Sequence, residues 1–190
     1  MGSELSTTSR KLIIVNGPPA SGKTTIAEGL VRELHLPLIS MDRIKEALFD
    51  TLGTGDREYN RQLSKASFAV IWSLLVDFPS DATVIVEGWL KHPPFDWVLA
   101  GLDKAGVSQF VEVWCFAPGE VLAERYSNRV ETRHIGHPGI EYASELRDVA
   151  RLAQPMSLSP VMRVDTNRLE FVDTVLIAQW IADQMPLSKA

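Results

Sequence analysis

The sequence predicts an α/β domain in which a parallel sheet of five strands is covered by helices on both faces. Five short apolar runs alternate with longer segments of helical period, and strand–helix–strand units of this kind build right-handed, parallel sheets. The 190 residues suit one domain, and 45% hydrophobic against 23% charged residues is ordinary globular composition. No covalent staple is needed. The one cysteine, Cys115, can form no internal disulfide, and a chain of this length buries roughly 70% of its extended surface.

The first strand is expected at 12–15, an unbroken apolar run suited to burial on both faces. A helix follows over 24–34 and ends near Pro37. Residues 38–40 read as a second short strand, and 43–52 as a helix stopped by Gly53 and Gly55. A long helix is expected over 59–78, ending at Pro79, with Phe68, Trp72 and Leu75 spaced to face the core. Residues 83–86 form the third strand, and 95–104 a helix closed by Gly106. The fourth strand, 110–116, holds Cys115 as a packed thiol; the helix after it has Pro118 near its first turn, where proline is tolerated. A helix at 141–152, a strand at 161–164 and a helix at 171–185 complete the pattern. Residues 1–10 are expected to be a flexible leader, and 11–186 a single domain with a small lid at about 125–145.

Charge and hydropathy exclude several classes. With 19 Lys and Arg against 24 Asp and Glu, the net charge of −5 argues against nucleic acid as the main partner, which would need a basic face. No apolar run approaches the roughly 18 residues of a membrane span, and the first residues lack the charged-then-apolar pattern of a signal peptide, so a cytoplasmic location is expected.

Ligands of such sheets bind beyond the carboxyl ends of the strands, so chemistry is sought there. Gly17-Pro18-Pro19-Ala20-Ser21-Gly22-Lys23-Thr24 matches G-x-x-x-x-G-K-[ST] between a predicted strand and a predicted helix. The glycines let the backbone wrap an anion. Successive N–H groups and the helix N-terminus face its oxygens, Lys23 adds a full charge, and the Thr24 hydroxyl can ligate Mg²⁺. The pattern points to a nucleoside triphosphate held along Gly17 to Thr25.

Asp42 follows the second strand. It can cap the next helix, or accept the proton of a hydroxyl attacking a γ-phosphate, and the two roles are compatible. Glu87 ends an apolar strand, the usual place of a second metal anchor beside such a loop. Trp89 and His92 lie just beyond and could line an acceptor pocket. Arg125, Arg129 and Arg133 recur every four residues, which predicts one helix face of like charges without counter-ions, an arrangement that suits a bound anion. Residues 132–139 then read as a lid excluding water. His134 and His137 lack a third ligand at metal spacing, so neither is assigned a metal.

The phosphate loop, Ser40-x-Asp42, the acid at Glu87 and the lid arginines resemble the small P-loop kinases of the zeta-toxin and chloramphenicol-phosphotransferase-like group. That resemblance, over about residues 11–186, implies a three-layer fold with strand order 2-3-1-4-5. It implies Asp42 as catalytic base, Lys23, Arg129 and Arg133 stabilising the transfer, and Arg125 and Asn167 near the nucleotide. Lys45 falls where related kinases place a substrate-binding cation. The implied activity is transfer of the γ-phosphate of ATP, with Mg²⁺, to a hydroxyl of a small molecule, and a homodimer is compatible with it. A nucleoside or nucleotide kinase is the alternative among enzymes; a nucleotide acceptor would need a second phosphate clamp, for which Lys45, Arg43 and Arg57 are the candidates. A non-catalytic ATP-binding switch is the alternative from another class.

Overall fold

The computed structural model describes residues 10–91 and 93–186. The expected leader lies outside them except for Arg10, which already belongs to the first strand, and His92 lies outside them as well.

In chain order the elements are β1 (Arg10–Asn16), α1 (Lys23–Leu34), β2 (Leu38–Ser40), α2 (Met41–Leu52), α3 (Arg57–Val76), β3 (Thr83–Glu87) and α4 (Asp96–Lys104). They continue with β4 (Val107–Phe116), α5 (Gly119–Arg129), a 3-10 turn (Val130–Thr132), α6 (Tyr142–Leu152), β5 (Val161–Asp165), a second 3-10 turn (Leu169–Phe171) and α7 (Thr174–Gln184). The five strands pair in parallel in the order β2-β3-β1-β4-β5, as the resemblance implies.

Side chains alternate across the sheet, so each strand feeds two cores. Leu12, Ile14, Val84 and Val86 pack with Phe68, Ile71, Trp72 and Leu75 of α3 and with Val98 and Leu102 of α4. Ile13, Val15, Ile85, Val113 and Cys115 pack on the opposite face with Ile26 and Leu30 of α1 and Ile177 and Ile181 of α7. A third, smaller cluster joins Ala20 to Leu122 and Tyr126 of α5 and Leu146 of α6. Cys115 is the core thiol expected, and burial pushes its pKa up to about 12.

Several boundaries differ from the sequence pattern for local reasons. β4 starts at Val107, three residues early, directly after Gly106 turns the chain at φ +63°. The last helix starts late, at Thr174, because the Asp173 carboxylate caps it by accepting from the N–H groups of Val175 and Leu176. The arginine stripe is not one helix face: α5 stops at Arg129, a 3-10 turn follows, and Arg133 is extended (φ −88°, ψ 153°).

β1 lies between β3 and β4, so the chain builds β2 and β3 on one side of it and then crosses over to β4 and β5 on the other. That reversal opens a crevice at the carboxyl ends. The register aligns Ser40 with Glu87 and Glu87 with Val15, which brings the ends of β2, β3 and β1 level at the mouth of the phosphate loop.

Candidate active site

The loop after β1 is tied from beneath. The Asn16 amide oxygen accepts from the N–H groups of Gly17 and Leu90, and its nitrogen donates to Glu112 Oε1, all buried. Gly17 sits at φ +149°, and a Cβ there would run into the Cys115 carbonyl oxygen. Gly22, at φ +77°, holds the N-cap position of α1, where no side chain caps the helix and no acid lies in its first turn. The first N–H groups of α1 are therefore left for a ligand. Ser21 Oγ is buried without a partner, and Thr166 Oγ1 donates to the Ser21 carbonyl at 2.9 Å.

Lys23 is 9% exposed and donates to the Pro18 carbonyl at 2.9 Å. Burial lowers its pKa, while Glu87 and Asp42 oppose that shift. Thr24 Oγ1 donates to Glu87 Oε1 at 3.5 Å, and Ser40 Oγ donates to Glu87 Oε2 at 2.7 Å. Glu87 is 2% exposed, and burial raises its pKa against the pull of Lys23. A hydroxyl and a carboxylate side by side at the loop are hard oxygen donors that fit Mg²⁺, an ion that keeps waters and phosphate oxygens as its other ligands.

Asp42 is not the helix cap. Ser40 holds the N-cap position of α2 without a side-chain capping bond, and Asp42 lies in the first turn. Its Oδ2 accepts from Arg133 Nη2 at 2.8 Å, so Arg133, expected to lack a counter-ion, has one. Burial pushes the Asp42 pKa up, but Arg133, His137, Lys23 and Lys45 together outweigh it and hold the carboxyl below its ordinary range. Arg129 stands beside this pair over the Tyr126 ring (5.6 Å), with Nε buried and without a hydrogen bond. Arg125 goes elsewhere. Its Nη2 donates to the carbonyls of Thr166 and Asn167 (2.8 and 3.3 Å), on the loop after β5.

Lys23, Thr24, Thr25, Asp42, Arg129 and Arg133 face one cavity of about 560 Å³, which Pro19, Ala20 and Gly22 also line. Lys45, Glu87 and Trp89 line it too, whereas Arg125 and Asn167 do not. Of the second-clamp candidates, Lys45 and Arg57 line the cavity, but Arg57 puts both terminal nitrogens on Glu145, and Arg43 pairs with Glu28 outside it. Several members carried no assigned role in the sequence pattern, although Asn60 stood among residues that could touch substrate and His137 within the expected lid. Asn60 donates to the Gly136 carbonyl at 2.5 Å and accepts from Lys45 Nζ at 2.6 Å. Tyr126 donates to the Pro138 carbonyl, and His137 meets Glu46 at 2.7 Å. Lys91 lines the cavity from the loop after β3. These residues share no motif, and they meet only through the packing of α2, α3 and the segment after α5.

A family model of the AAA domain matches residues 12–151. The chain is similar to adenylate kinase 8 of Mus musculus, 27% identical over 154 residues, 78% of this chain and 32% of that protein; it spans about a third of that relative's length. It is 25% identical over 177 residues to the cytidylate kinase of Pyrobaculum islandicum, covering 90% of this chain and 85% of that one. The crystal structure of a kinase-like protein from Chloroflexus aurantiacus superposes with a TM-score of 0.77 at 30% identity, over 93% of this chain and 99% of the other.

Proposed function

The chain belongs to the AAA domain family, and from that premise we propose that it is an ATP-dependent phosphotransferase that moves the γ-phosphate to a hydroxyl of a small molecule. One observation carries this: the Asp42 carboxylate opens into the same cavity as Lys23 and Thr24 of the phosphate loop. Kinase relatives support it, and the buried Ser21 hydroxyl without a partner fits a loop that awaits oxygens.

Lys23 and the N–H groups of the loop hold the phosphates. Thr24 and Glu87 would hold magnesium, which neutralises phosphate oxygens when bound. The acceptor hydroxyl donates to Asp42 as its oxygen forms a bond to the γ-phosphorus. The bond from that phosphorus to the bridging oxygen breaks, ADP leaves with the electron pair, and the hydroxyl proton passes to Asp42. An Asp42 held below the ordinary carboxylate range is a weak base, so it orients the hydroxyl first and takes the proton late. Arg129, with an unused Nε, and Arg133 face the oxygens on which charge spreads. Arg133 occupies one Asp42 oxygen and leaves Oδ1 for the acceptor. Ser40-x-Asp42 and these lid arginines support placing the chain beside the zeta-toxin and chloramphenicol-phosphotransferase-like kinases.

The cytidylate and adenylate kinase relatives favour a second reading, in which the acceptor is a nucleotide. Asp42→Asn is expected to leave the Kd for ATP near that of the wild type and to lower phosphoryl transfer by about 10²-fold or more. Lys23→Ala is expected to weaken nucleotide binding strongly. Undiminished transfer by Asp42→Asn removes the mechanism, and no product with any acceptor leaves a nucleotide-binding switch.

A further inference from the structure

The cavity holds more cations than Lys23 of the phosphate loop, Arg129 and Arg133. At the end formed by α2, α3 and the loop after β3, the lining includes Lys45, Arg57, Arg61 and Lys91. Arg57 is committed to Glu145 at 2.6 and 2.8 Å, and Arg61 meets Glu58 at 3.3 Å. Among the described residues, Lys45 and Lys91 have no carboxylate within ion-pair distance.

Lys45 is the sharper case. It is 5% exposed, yet its ammonium donates to a neutral oxygen, Asn60 Oδ1 at 2.6 Å. The two acids facing it are engaged, Asp42 by Arg133 and Glu46 by His137. Burial pulls its pKa down to about 8; Asp42 opposes that shift, and Arg133 and Lys91 add to it. Partial burial of the otherwise exposed Lys91 also lowers its pKa, and Arg61 and Lys65 lower it further, with Glu58 the acid that opposes. Ammonium groups that repel one another across a shared cavity cost free energy until an anion enters between them.

We propose that the acceptor carries an anionic group, a carboxylate or a phosphate ester, seated between Lys45 and Lys91 while its hydroxyl lies at Asp42. This rests on the phosphotransferase reading and names the acceptor class for it. The anion supplies the counter-charge that Asn60 cannot, and Lys45, on the helix that carries Asp42, sets the distance between seat and base. A neutral polyol of the same size would leave both ammoniums uncompensated.

The test uses the full chain saturated with a non-hydrolysable ATP analogue and Mg²⁺, so that no probe anion can enter the phosphate loop. Calorimetric titration compares matched skeletons: glycerol, glycerate and glycerol 3-phosphate; ribose, ribonate and ribose 5-phosphate. At least one charged form is expected to bind about tenfold or more tighter than its neutral counterpart, and the two charged arms separate carboxylate from phosphate. Lys91→Gln, at an exposed position, is expected to remove most of that preference with the analogue's Kd unchanged; Lys45→Met does the same if it folds. No preference for charged forms, no anion binding, or a preference that survives Lys91→Gln overturns the inference. Turnover with ATP then separates the two claims. Transfer to neutral polyols alone defeats the anion seat and keeps the phosphotransferase; an anion preference lost in Lys91→Gln, with no product from any probe, keeps the seat and defeats the phosphotransferase.

Discussion

At single residues, the site is held by demands that one atom can break. Gly17 combines φ +149° with a backbone oxygen of β4 where its Cβ would stand. A side chain there must push β4 or the loop aside, so Gly17→Ala is expected to lower Tm and weaken ATP-analogue binding by about tenfold or more, read by thermal melts and titration. Lys45 sets a pH dependence instead. Its pKa of about 8 means that the ammonium is lost as pH rises through that value. The KM of an anionic acceptor is therefore expected to climb above about pH 8 while the Kd for nucleotide stays level, measured by steady-state kinetics across pH. Asn16 and Glu112 act further back: a buried carboxylate holds the amide that holds Gly17, and the sequence alone gave no reason to pair residues 96 positions apart.

Among elements, the segment proposed as a lid is fastened to α2 at several points. Gly136 has no side chain because Phe49 of α2 lies where its Cβ would stand, and Phe49 also stacks on His134 (5.3 Å between rings). Arg133 to Asp42, His134 to Asp50 and His137 to Glu46 tie three successive turns of α2 to the segment after α5. His137 gives this closure a pH signature. Burial, helped by Arg133 and Lys45 and opposed by Asp42 and Glu46, pulls its pKa from 6.5 to about 4. Between those values the unfolded chain binds a proton that the folded chain does not, so stability falls as pH drops from 6.5 toward 4 and then levels. Glu87 and Glu112, both raised by burial, contribute with the opposite sign, and those contributions are common to wild type and variant. His137→Gln is expected to shrink the Tm loss between about pH 7 and pH 5 by roughly 2–4 °C, seen in paired calorimetric scans.

For the whole molecule, stability and function draw on different ends of one sheet. Central strands buried on both faces form the floor, and the crevice at their carboxyl ends is lined by Lys23, Asp42, Glu87 and Arg133. Ile85, wholly buried against α1 and paired with Ile13 and Leu38, belongs to the floor. Ile85→Ala is expected to lower the unfolding free energy by about 2–4 kcal/mol, measured by urea denaturation with an unchanged slope. Among the described residues, no helix is long and apolar enough to cross a membrane.

The sequence by itself determined the strand–helix alternation and the loop from Gly17 to Thr24, because apolar period, turn residues and phosphate cradle are all written within a few neighbouring positions. It also brought Asp42 and Glu87 to the sheet edge, since strand ends are local features that the parallel register then aligns. Tertiary structure alone decided the partners. That Arg133 meets Asp42 across 91 positions, that Arg125 turns to the Asn167 carbonyl, and that Lys45 and Lys91 share one cavity follow from how helices settle on the sheet. Such packing depends on shape and charge summed over the whole chain, which no local pattern records.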